Sequence, residues 1–434
     1  MKRIFVSMMK ILFSDDYEEN LFAIVPNIIR IGAVKFLENQ LRAEHGQLLF
    51  RSVGSSKQWP DLDSITFLPA QTTPFPIDKN ESIDLSTTIS PKAKKPLQIE
   101  IPIMIGAMAY GLALSKEAKI AIAQAAAKVK TAVNLGEGGL LSEEKKAAYK
   151  YILQFSKTEW GKDESFIRDA DMIEIKLGQG GLAGLGDRIR ASEIPDEAKK
   201  IMKLEKDQDA VIHEHFFENQ TLEDLKEIVT SLRETTNGVP IGFKIAAGGN
   251  IEQDIERLIE IGADFIAIDG GQAGTHGAPP ILQDDFGIPT LHAIVRAAAY
   301  LRKKKLNEQI SLIVAGGLFV PGDFLKALAL GADAIYIGSS IIFAINHQQL
   351  LKTLPWEPPS QMIWSTGSKQ DEFSVEQGTE FGYNYLQSCI EEMKTAMRAM
   401  GKTSLKQLNS ADLVTFDETI AKYANIAYSF TAKK

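Results

Sequence analysis

The chain is almost free of cysteine, since Cys389 is the only one among 434 residues. One thiol cannot form a disulfide within the chain. It also cannot supply the three or four thiolates that a cysteine-ligated zinc or iron–sulfur site requires. Low cysteine use fits a reducing compartment, and we predict a cytoplasmic location.

The chain also has fewer positive than negative charges, and it has no long apolar run. Lys and Arg together number 48 against 56 Asp and Glu, which gives a net charge of -8. A broad nucleic-acid surface requires clustered Lys and Arg, so we predict no nucleic-acid partner. No apolar run reaches the length of a membrane span, and both Lys10 and the acidic segment 15–19 argue against an N-terminal signal peptide. We therefore predict no membrane partner.

Motifs of several other protein classes are missing. The spacing of His, Asp and Glu suggests no metal site, and neither a Gly-x-Ser-x-Gly nor a Ser/His/Asp pattern of hydrolases is present. An open dinucleotide-binding sheet would place Gly-x-Gly-x-x-Gly after an early strand. The segment Gly106–Gly111 has the wrong spacing for this motif, and Gly178–Gly184 matches it only loosely.

What the sequence does contain is an alternation of short apolar segments and helical segments from residue 97 onward. This alternation is typical of a parallel sheet. Eight segments are predicted to be strands, and eight strands with helical connections favour a closed (β/α)8 TIM barrel over an open doubly wound sheet. The predicted strands are Ile101–Ala107, Thr131–Leu135, Tyr151–Phe155, Met172–Leu177, Pro240–Ala246, Phe265–Asp269, Ser311–Ala315 and Ala334–Ile337.

Helix signals lie between several of these strands. Ser115–Val129 begins with a capping serine and is rich in Ala, which favours a helix. Thr221–Arg233 begins with a capping threonine, and acidic residues follow in its first turn. Further helices are predicted at Ile251–Ile261, Thr290–Lys305 and Pro321–Leu330.

The two flanks differ from this central region. Residues 1–95 hold a helical stretch near Ile28–Arg42 and then a Pro- and Ser-rich segment, which predicts an N-terminal extension packed on the barrel. Residues 96–345 are predicted to form the barrel. Residues 346–434 are predicted to form a helical C-terminal segment, with an amphipathic helix at Glu391–Met400.

The last two predicted strands end in small residues that open a helix. Gly316 and Gly317 follow the seventh strand, and Gly338 and Ser339 follow the eighth. Glycine lets the backbone approach a ligand closely, and a helix N-terminus offers free N–H groups to an anion. Because the last two strands of a (β/α)8 barrel often hold phosphate in this way, the pattern predicts a phosphorylated ligand and an enzyme.

Glycine-rich ends on earlier strands favour a large, flat ligand that lies across the barrel opening. Flavin mononucleotide (FMN) fits, with Lys244 placing positive charge near the pyrimidine edge of its ring. A lysine inside a barrel strand is costly unless it meets an opposite charge, which favours a ligand contact for Lys244. A sugar phosphate at the same end is the alternative. The predicted cofactor-binding residues are Gly106, Ala107, Met108, Asn134, Lys244, Asp269, Gly270, Gly271, Gly316, Gly317, Gly338 and Ser339.

Four polar residues at or after the strand ends are the catalytic candidates, because barrel enzymes place their reacting groups there. Structural alternatives exist for them. Glu137 could be a solvated loop charge, and His276 in a Gly-rich loop is as often structural as a proton donor. Glu174 could be an inward ion partner of Lys176. The candidates are Glu137, Lys176, Gln179 and His276.

In combination, these segments resemble the FMN-binding synthase domain of glutamate synthases, in its stand-alone form. The resemblance implies an FMN-dependent (β/α)8 barrel that reduces 2-iminoglutarate, formed from 2-oxoglutarate and ammonia, to L-glutamate by hydride transfer from the flavin. It thus implies an oxidoreductase acting on CH–NH2 donors. The matching segments are Pro102–Tyr110, Asn134–Gly139, Ile173–Gly180, the strand of Lys244, Asp269–Ala278 and the glycine-containing tips at 316–317 and 338–339.

Three departures from this family pattern affect what we expect. The cysteines that ligate an iron–sulfur centre after the eighth strand are missing from residues 343–349, so we expect no iron–sulfur cluster. The family's Lys-Pro pair is replaced by Leu182-Ala183, which removes a cation expected near a dicarboxylate substrate. The chain has no glutamine amidotransferase domain before the barrel, so we expect it not to make ammonia from glutamine by itself.

Two other interpretations stay open. The first is an FMN oxidoreductase acting on a different small amino, imino or hydroxy acid. The second is a non-catalytic barrel that binds a phosphorylated ligand. The expected partners are a small-molecule substrate and, as reductant, an electron-donor protein or NAD(P)H. The sequence leaves homo-oligomerisation open.

Overall fold

A computed structural model of the chain describes residues 2–14, 24–51, 53–347, 349, 352–353 and 358–431. At its centre lies a closed barrel of eight strands, each parallel to its neighbours, which confirms the predicted (β/α)8 class. In chain order the barrel strands are β1 (Ile103–Ile105), β2 (Ala132–Asn134), β3 (Lys150–Phe155), β4 (Met172–Lys176), β5 (Ile241–Ala246), β6 (Phe265–Asp269), β7 (Ser311–Ala315) and β8 (Ala334–Ile337).

Helices follow the barrel strands and cover the outside of the barrel. Two of them begin at the caps that the sequence predicts: Ser115 accepts a hydrogen bond from the Ala118 N–H, and Thr221 forms a reciprocal cap with Asp224. The principal helices are α1 (Lys116–Lys128), α2 (Ser142–Ala147), α3 (Glu164–Asp169), α4 (Leu222–Thr236), α5 (Ile251–Glu260), α6 (Thr290–Lys304), α7 (Pro321–Leu330) and α8 (Val375–Ala399).

Further elements lie before the barrel, in its loops and after it. Within the described ranges, no helix combines the length and apolarity needed to span a bilayer. The additional helices are Lys2–Ser14, Ile24–Ile31, Ala33–His45, Asp196–Met202, Pro280–Asp284, Ser339–Ile345, Pro358–Met362 and Glu418–Ala424. The additional strands are Ile65–Phe67, Thr87–Ile89, Leu97–Ile99, Asp187–Ile189, Ala210–Ile212, Leu413–Thr415 and Ala427–Tyr428.

Two predicted helices differ from the structure by more than a few residues at their ends. The stretch predicted near Ile28–Arg42 is split between the helices Ile24–Ile31 and Ala33–His45, because Gly32 has a φ of 93° that an α-helix cannot contain. The helix predicted at Glu391–Met400 is the last part of the longer α8.

Alternation along the strands gives the barrel interior an apolar and a charged end. Near the amino ends of the strands, the inward side chains are apolar, Met172 and Phe265 among them. Toward the carboxyl ends they become charged, as with Lys244 of β5, which lies beside Lys176 of β4 in the strand pairing. Asp269, the last residue of β6, adds an opposite charge at this end.

A hairpin from the N-terminal region covers the apolar end of the barrel. Its strands, Thr87–Ile89 and Leu97–Ile99, pair antiparallel and pack in the same apolar cluster as the inward-facing residues. The Ser90 N–H donates to the Ser311 hydroxyl at 2.8 Å, and the Ser90 hydroxyl donates to the Asp264 carbonyl at 2.9 Å. The carboxyl ends of the strands are left as the open face of the barrel.

Helix α8 comes from the chain well beyond β8 and completes the ring of outer helices. It packs against both α7 and α1. The approach to α1 depends on glycine, because a Cβ added at Gly382 would lie 3.0 Å from the Ala125 Cβ. That distance is shorter than an ordinary van der Waals contact, so a larger side chain would require the two helices to move apart.

We expect Gly382→Leu to lower the free energy of unfolding by about 1–3 kcal/mol, because the added side chain overpacks the contact with α1. Ser388→Leu, at an exposed position of the same helix, should change it by less than about 0.5 kcal/mol. Urea unfolding followed by circular dichroism measures both values. Equal stability of the two variants would contradict close packing of α8 on the barrel.

Candidate active site

Two adjoining cavities lie at the carboxyl ends of the barrel strands. The outer cavity, of about 390 Å³, is lined by the loops after β7 and β8 and by part of the N-terminal region. The inner cavity, of about 150 Å³, is lined mainly by the loops after β1, β2, β4 and β6. Both have Ala107, Lys244, Gly338 and Ser339 in their walls, so they adjoin across the barrel opening.

Glycine backbone forms one wall of the outer cavity. Gly316 and Gly317 have φ values of 119° and 68°, in the left-handed region that favours glycine. A Cβ added at Gly338 would meet no protein atom within 4 Å, so the space beside this residue is open. Ser339 begins a short helix whose first N–H groups have no acceptor within that helix. An anionic group can therefore come close to the backbone of this wall and bind its N–H groups.

Another wall of the outer cavity is a strap formed by Arg51 and residues 53–59. Ser55, Lys57 and Trp59 of the strap line the cavity. The strap is tied to the loop after β6, because the Arg51 guanidinium pairs with the Asp284 carboxylate at 2.9 Å and the Ser55 hydroxyl donates to the same carboxylate at 2.7 Å. The N-terminal region therefore contributes to the site as well as packing on the barrel.

Lys244 and Asp269 form a buried ion pair beside the cavities. The Lys244 Nζ lies 3.2 Å from the Asp269 Oδ2, and the two side chains are 7% and 4% exposed. The same oxygen accepts the Gly180 N–H at 3.0 Å, which joins the loop after β4 to β5 and β6. Burial alone would lower the pKa of Lys244, but the charges of Asp269 and Glu174 raise it above the ordinary value. Lys244 is therefore protonated at neutral pH.

Glu137 and Lys176 form a second ion pair next to the inner cavity. Their side chains are 11% and 10% exposed, so Glu137 is not a solvated loop charge. Lys176 holds the Oε1 of Glu137, while the Oε2 has no hydrogen-bond partner among the described residues. Trp160 fixes the loop by donating from its Nε1 to the Glu137 carbonyl at 2.8 Å. Glu137 therefore lines the inner cavity with one carboxylate oxygen paired and the other buried without a partner.

Gln179 and His276 line the inner cavity from two neighbouring loops. The Gln179 Nε2 donates to the Thr275 hydroxyl at 2.8 Å, which connects these loops. The His276 ring packs against Trp364 with ring centroids 4.8 Å apart, and its Nδ1 has no partner in the described part of the chain. Burial lowers the pKa of His276 below 6.5, so its ring is neutral at neutral pH. No cluster of His, Cys, Asp and Glu suited to a metal ion occurs among the described residues.

Asn134 lies inside the barrel and lines neither cavity. Its Nδ2 donates to the Glu174 Oε1 at 2.8 Å, and its Oδ1 accepts the Gly136 N–H at 3.0 Å. The Gln154 Nε2 donates to the same Glu174 oxygen at 2.8 Å. Glu174 is thus the acceptor of a buried amide network, and the ion partner of Lys176 is Glu137.

Gly270 and Gly271 lie outside the two cavities as well. A Cβ would approach the Thr290 hydroxyl to 2.1 Å at Gly270 and the Trp59 ring to 2.8 Å at Gly271, so close packing accounts for both glycines. They border a separate cavity of about 420 Å³ between the loops after β4, β5 and β6. The other predicted cofactor residues line the outer or inner cavity: Gly106, Ala107, Met108, Lys244, Asp269, Gly316, Gly317, Gly338 and Ser339.

Lys119 of α1 is a buried residue that sequence reasoning missed. Its Nζ donates to the carbonyls of Met108 at 2.6 Å and Leu135 at 3.0 Å, and pairs with Glu144 at 2.8 Å. The two charged side chains are 3% and 2% exposed. Burial raises the pKa of Glu144 to about 7, despite the opposing charge of Lys119. Lys119 therefore holds the ends of β1 and β2, from which Met108 and Glu137 enter the site.

Asp187 is a second missed residue, and it lines the inner cavity. Burial raises its pKa, and the charge of Glu137 adds to this effect. Asp187 lies beyond the loop after β4 in no recognisable motif, so no local pattern marks it. Lys119 did carry a signal, because it falls on the apolar stripe of α1 with Ala118 and Ile122, where a charge requires a partner.

Lys119→Met should lower the free energy of unfolding by about 3–5 kcal/mol at about pH 8, because Glu144 would be left as an uncompensated buried charge. The loss should be smaller at about pH 5, below the Glu144 pKa, where a proton neutralises that carboxyl. Denaturant unfolding at the two pH values measures both losses.

The exposed pair of Lys304 and Glu256 supplies the control for this change. Lys304→Met should leave the free energy of unfolding close to that of the wild type at either pH, since both side chains are 44% exposed. If Lys119→Met lowers the free energy of unfolding equally at the two pH values, a role for the Glu144 charge is contradicted.

The chain is similar in sequence to glutamate synthases over most of its length. A model of the conserved region in glutamate synthase matches residues 51–403, from the strap through α8. An archaeal-type glutamate synthase (NADPH) of Thermotoga maritima is 30% identical over 336 residues, which cover 76% of this chain and 64% of that protein. A glutamate synthase large subunit-like protein of Rhizobium meliloti is 29% identical over 408 residues, covering 88% of this chain and 90% of that protein. The chain therefore spans just under two thirds of the first relative.

A similar fold occurs in the flavin-binding domain of flavocytochrome b2 from baker's yeast. The TM-score is 0.52 at 18% identity, and the match covers 81% of this chain and 76% of that chain. At this identity the likeness concerns the barrel fold alone. The family match spans the strap, the whole barrel and both cavities, and it confirms the resemblance drawn from the sequence motifs. The chain belongs to the glutamate synthase family.

Proposed function

We propose that this protein is an FMN-dependent oxidoreductase that transfers hydride between the flavin and a carbon–nitrogen bond of a small amino or imino compound. Membership of the glutamate synthase family supports the reaction type. The observation that carries the proposal is the pair of adjoining cavities across the barrel opening. Glycine backbone lies at one end of this pair, and paired lysines and carboxylates lie at the other.

The residues around the outer cavity fit FMN. Gly316, Gly317, Gly338 and Ser339 would hold the phosphate through backbone N–H groups. Lys57 of the strap lines the same cavity and adds a cation. In addition, the buried Asp269 Oδ1 has no hydrogen-bond partner in the described ranges and can accept one from a ligand N–H or hydroxyl group.

Bound flavin would supply hydride chemistry that protein side chains lack. The chain's own groups would bind the ligands, orient them and exchange protons with them. Lys244 keeps a positive charge beside both cavities, held by Asp269. The unpartnered Oε2 of Glu137 can accept a hydrogen bond or a proton from a substrate nitrogen. Gln179 is held in the inner wall by Thr275.

Within this proposal, the reaction implied by the family is the conversion of 2-oxoglutarate and ammonia to L-glutamate. NAD(P)H or an electron-donor protein would be the reductant, and the name of the Thermotoga relative includes NADPH. A hydroxy acid is an alternative outside this reaction type, and a different small amino or imino acid is the second candidate substrate within it. One observation favours it, because Leu182 lines the inner cavity where the family resemblance implies a lysine for a dicarboxylate. The lack of an iron–sulfur cluster stays a prediction.

The purified protein should bind FMN and show a flavin absorption band. Gly338→Leu should weaken FMN binding by roughly tenfold or more, because the side chain would enter open cavity space. Gly322→Leu is the matched control, since a side chain there also meets open space but lies on α7 outside the cavities. Fluorescence titration of apoprotein with FMN compares the variants. A wild-type protein that takes up no FMN would refute the proposal.

Anaerobic titration of the FMN-loaded protein should separate the candidate reactions. If the family reaction applies, L-glutamate should bleach the flavin band, and 2-oxoglutarate with ammonia should restore it after reduction. NADH, NADPH and reduced ferredoxin, added separately, identify the reductant. If neither glutamate nor 2-oxoglutarate with ammonia changes the spectrum, the narrower reaction fails. Lys244→Ala should lower the rate of flavin reduction, and an unchanged function would favour a non-catalytic barrel.

A further inference from the structure

The inner cavity is apolar over much of its wall. This surface favours a ligand with a hydrocarbon part, because burial of apolar area is favourable and burial of an unpaired charge is not. The large apolar side chains in the wall include Leu112, Leu114, Leu182, Ile189, Ile212 and Trp364.

The lysines in and around this cavity are already engaged. Among the described residues, Lys244 is the one Lys or Arg in its wall, and it pairs with Asp269 at 3.2 Å. Behind the wall, Lys176 holds Glu137, and Lys157 donates to two backbone carbonyls. In the wall itself, a ligand carboxylate would therefore find no lysine or arginine without a carboxylate partner.

The same wall, in contrast, contains carboxylates that are not fully paired. Asp187 makes no ion pair with any residue that the structure describes, and its Oδ1 accepts only the N–H of the next residue, Arg188, at 2.8 Å. The Oε2 of Glu137 has no partner either. His276 adds no compensating charge, because burial lowers its pKa. Asp187 is thus the carboxylate of this wall that lacks an ion partner among the described residues, and the wall is rich in hydrogen-bond acceptors.

We infer that the inner cavity selects a small amine, or the imine derived from it, that carries an apolar chain, and that it discriminates against dicarboxylates. The nitrogen would lie against Asp187 and the free oxygen of Glu137, and the chain against Leu182 and Ile212. A dicarboxylate would bring like charge to a wall that has no free cation. The inference names a substrate class for the proposed function and rests on it for the reaction, while the binding claim depends on the cavity wall.

Leu182 is the position at which this selection can be reversed. Its side chain is 8% exposed and lines the inner cavity. A lysine at this position would place a long cationic side chain in the same wall and supply the missing counter-charge for a carboxylate. In the wild-type protein, Leu182 supplies no such cation, and we expect the cavity to discriminate against dicarboxylates for this reason.

The test is isothermal titration of the purified, FMN-loaded protein at neutral pH with n-butylamine, 1-butanol and 2-oxoglutarate. The wild-type protein should bind n-butylamine at least about tenfold more tightly than 2-oxoglutarate. Asp187→Asn should weaken n-butylamine binding by roughly tenfold and leave 1-butanol binding unchanged, because only the amine is charged. Leu182→Lys should weaken n-butylamine binding and strengthen 2-oxoglutarate binding.

Asp196→Asn is the matched control, because it removes a carboxylate that is 86% exposed and lies outside the cavity wall. It should leave all three affinities unchanged. Tighter binding of 2-oxoglutarate than of n-butylamine to the wild-type protein, or no binding of n-butylamine, would overturn the inference. Equal effects of Asp187→Asn and Asp196→Asn would also overturn it. Circular dichroism shows whether each variant folds. If one does not, the comparison of n-butylamine with 2-oxoglutarate on the wild-type protein still tests the inference.

The flavin content of the same samples distinguishes a failure of this inference from a failure of the proposed function. A protein that takes up no flavin yet prefers n-butylamine would refute the proposed function and keep the inference. A flavin-loaded protein that prefers 2-oxoglutarate would keep the proposed function and refute the inference.

Discussion

The buried ion pair of Lys244 and Asp269 connects the parts from which the site is built. Inside a closed ring of strands, a charged side chain cannot reach solvent sideways, so it must meet an opposite charge or lie at an open end. Asp269 holds the Lys244 Nζ at 3.2 Å and accepts the Gly180 N–H at 3.0 Å. The ends of β5 and β6 and the loop after β4 are thereby joined, and both cavities are bordered by this group.

A second buried lysine organises the other half of the opening from outside the barrel. Lys119 reaches from α1 to the carbonyls at the ends of β1 and β2, and Glu144 of α2 balances its charge. The segments held in this way carry Met108 and Glu137 into the inner cavity. Both lysines are balanced by a buried carboxylate, but Lys119 binds backbone carbonyls itself, whereas at Lys244 the partner Asp269 makes the backbone contact. The geometry of the opening therefore depends on buried charge as well as on apolar packing.

Segments before and after the barrel supply what its strands leave open. The hairpin Thr87–Ile89 and Leu97–Ile99 covers the apolar end, and α8 completes the ring of helices. The strap forms one wall of the outer cavity and is tied to the barrel by the ion pair of Arg51 and Asp284. The segments outside the barrel strands thus complete the barrel, and the strap also completes the site. Their composition predicts that they pack on the barrel but not what they contact.

The sequence by itself determined the fold class, the order of the eight strands and most of the residues around the opening. Apolar alternation and the glycine-rich strand ends are local properties, and local properties can be read along the chain. Only the tertiary structure decided that Lys176 pairs with Glu137 and that Asp187 lines the inner cavity. It also decided that close packing against Thr290 leaves no room for a side chain at Gly270. Each of these outcomes depends on residues that are distant in the chain and meet only when the barrel closes.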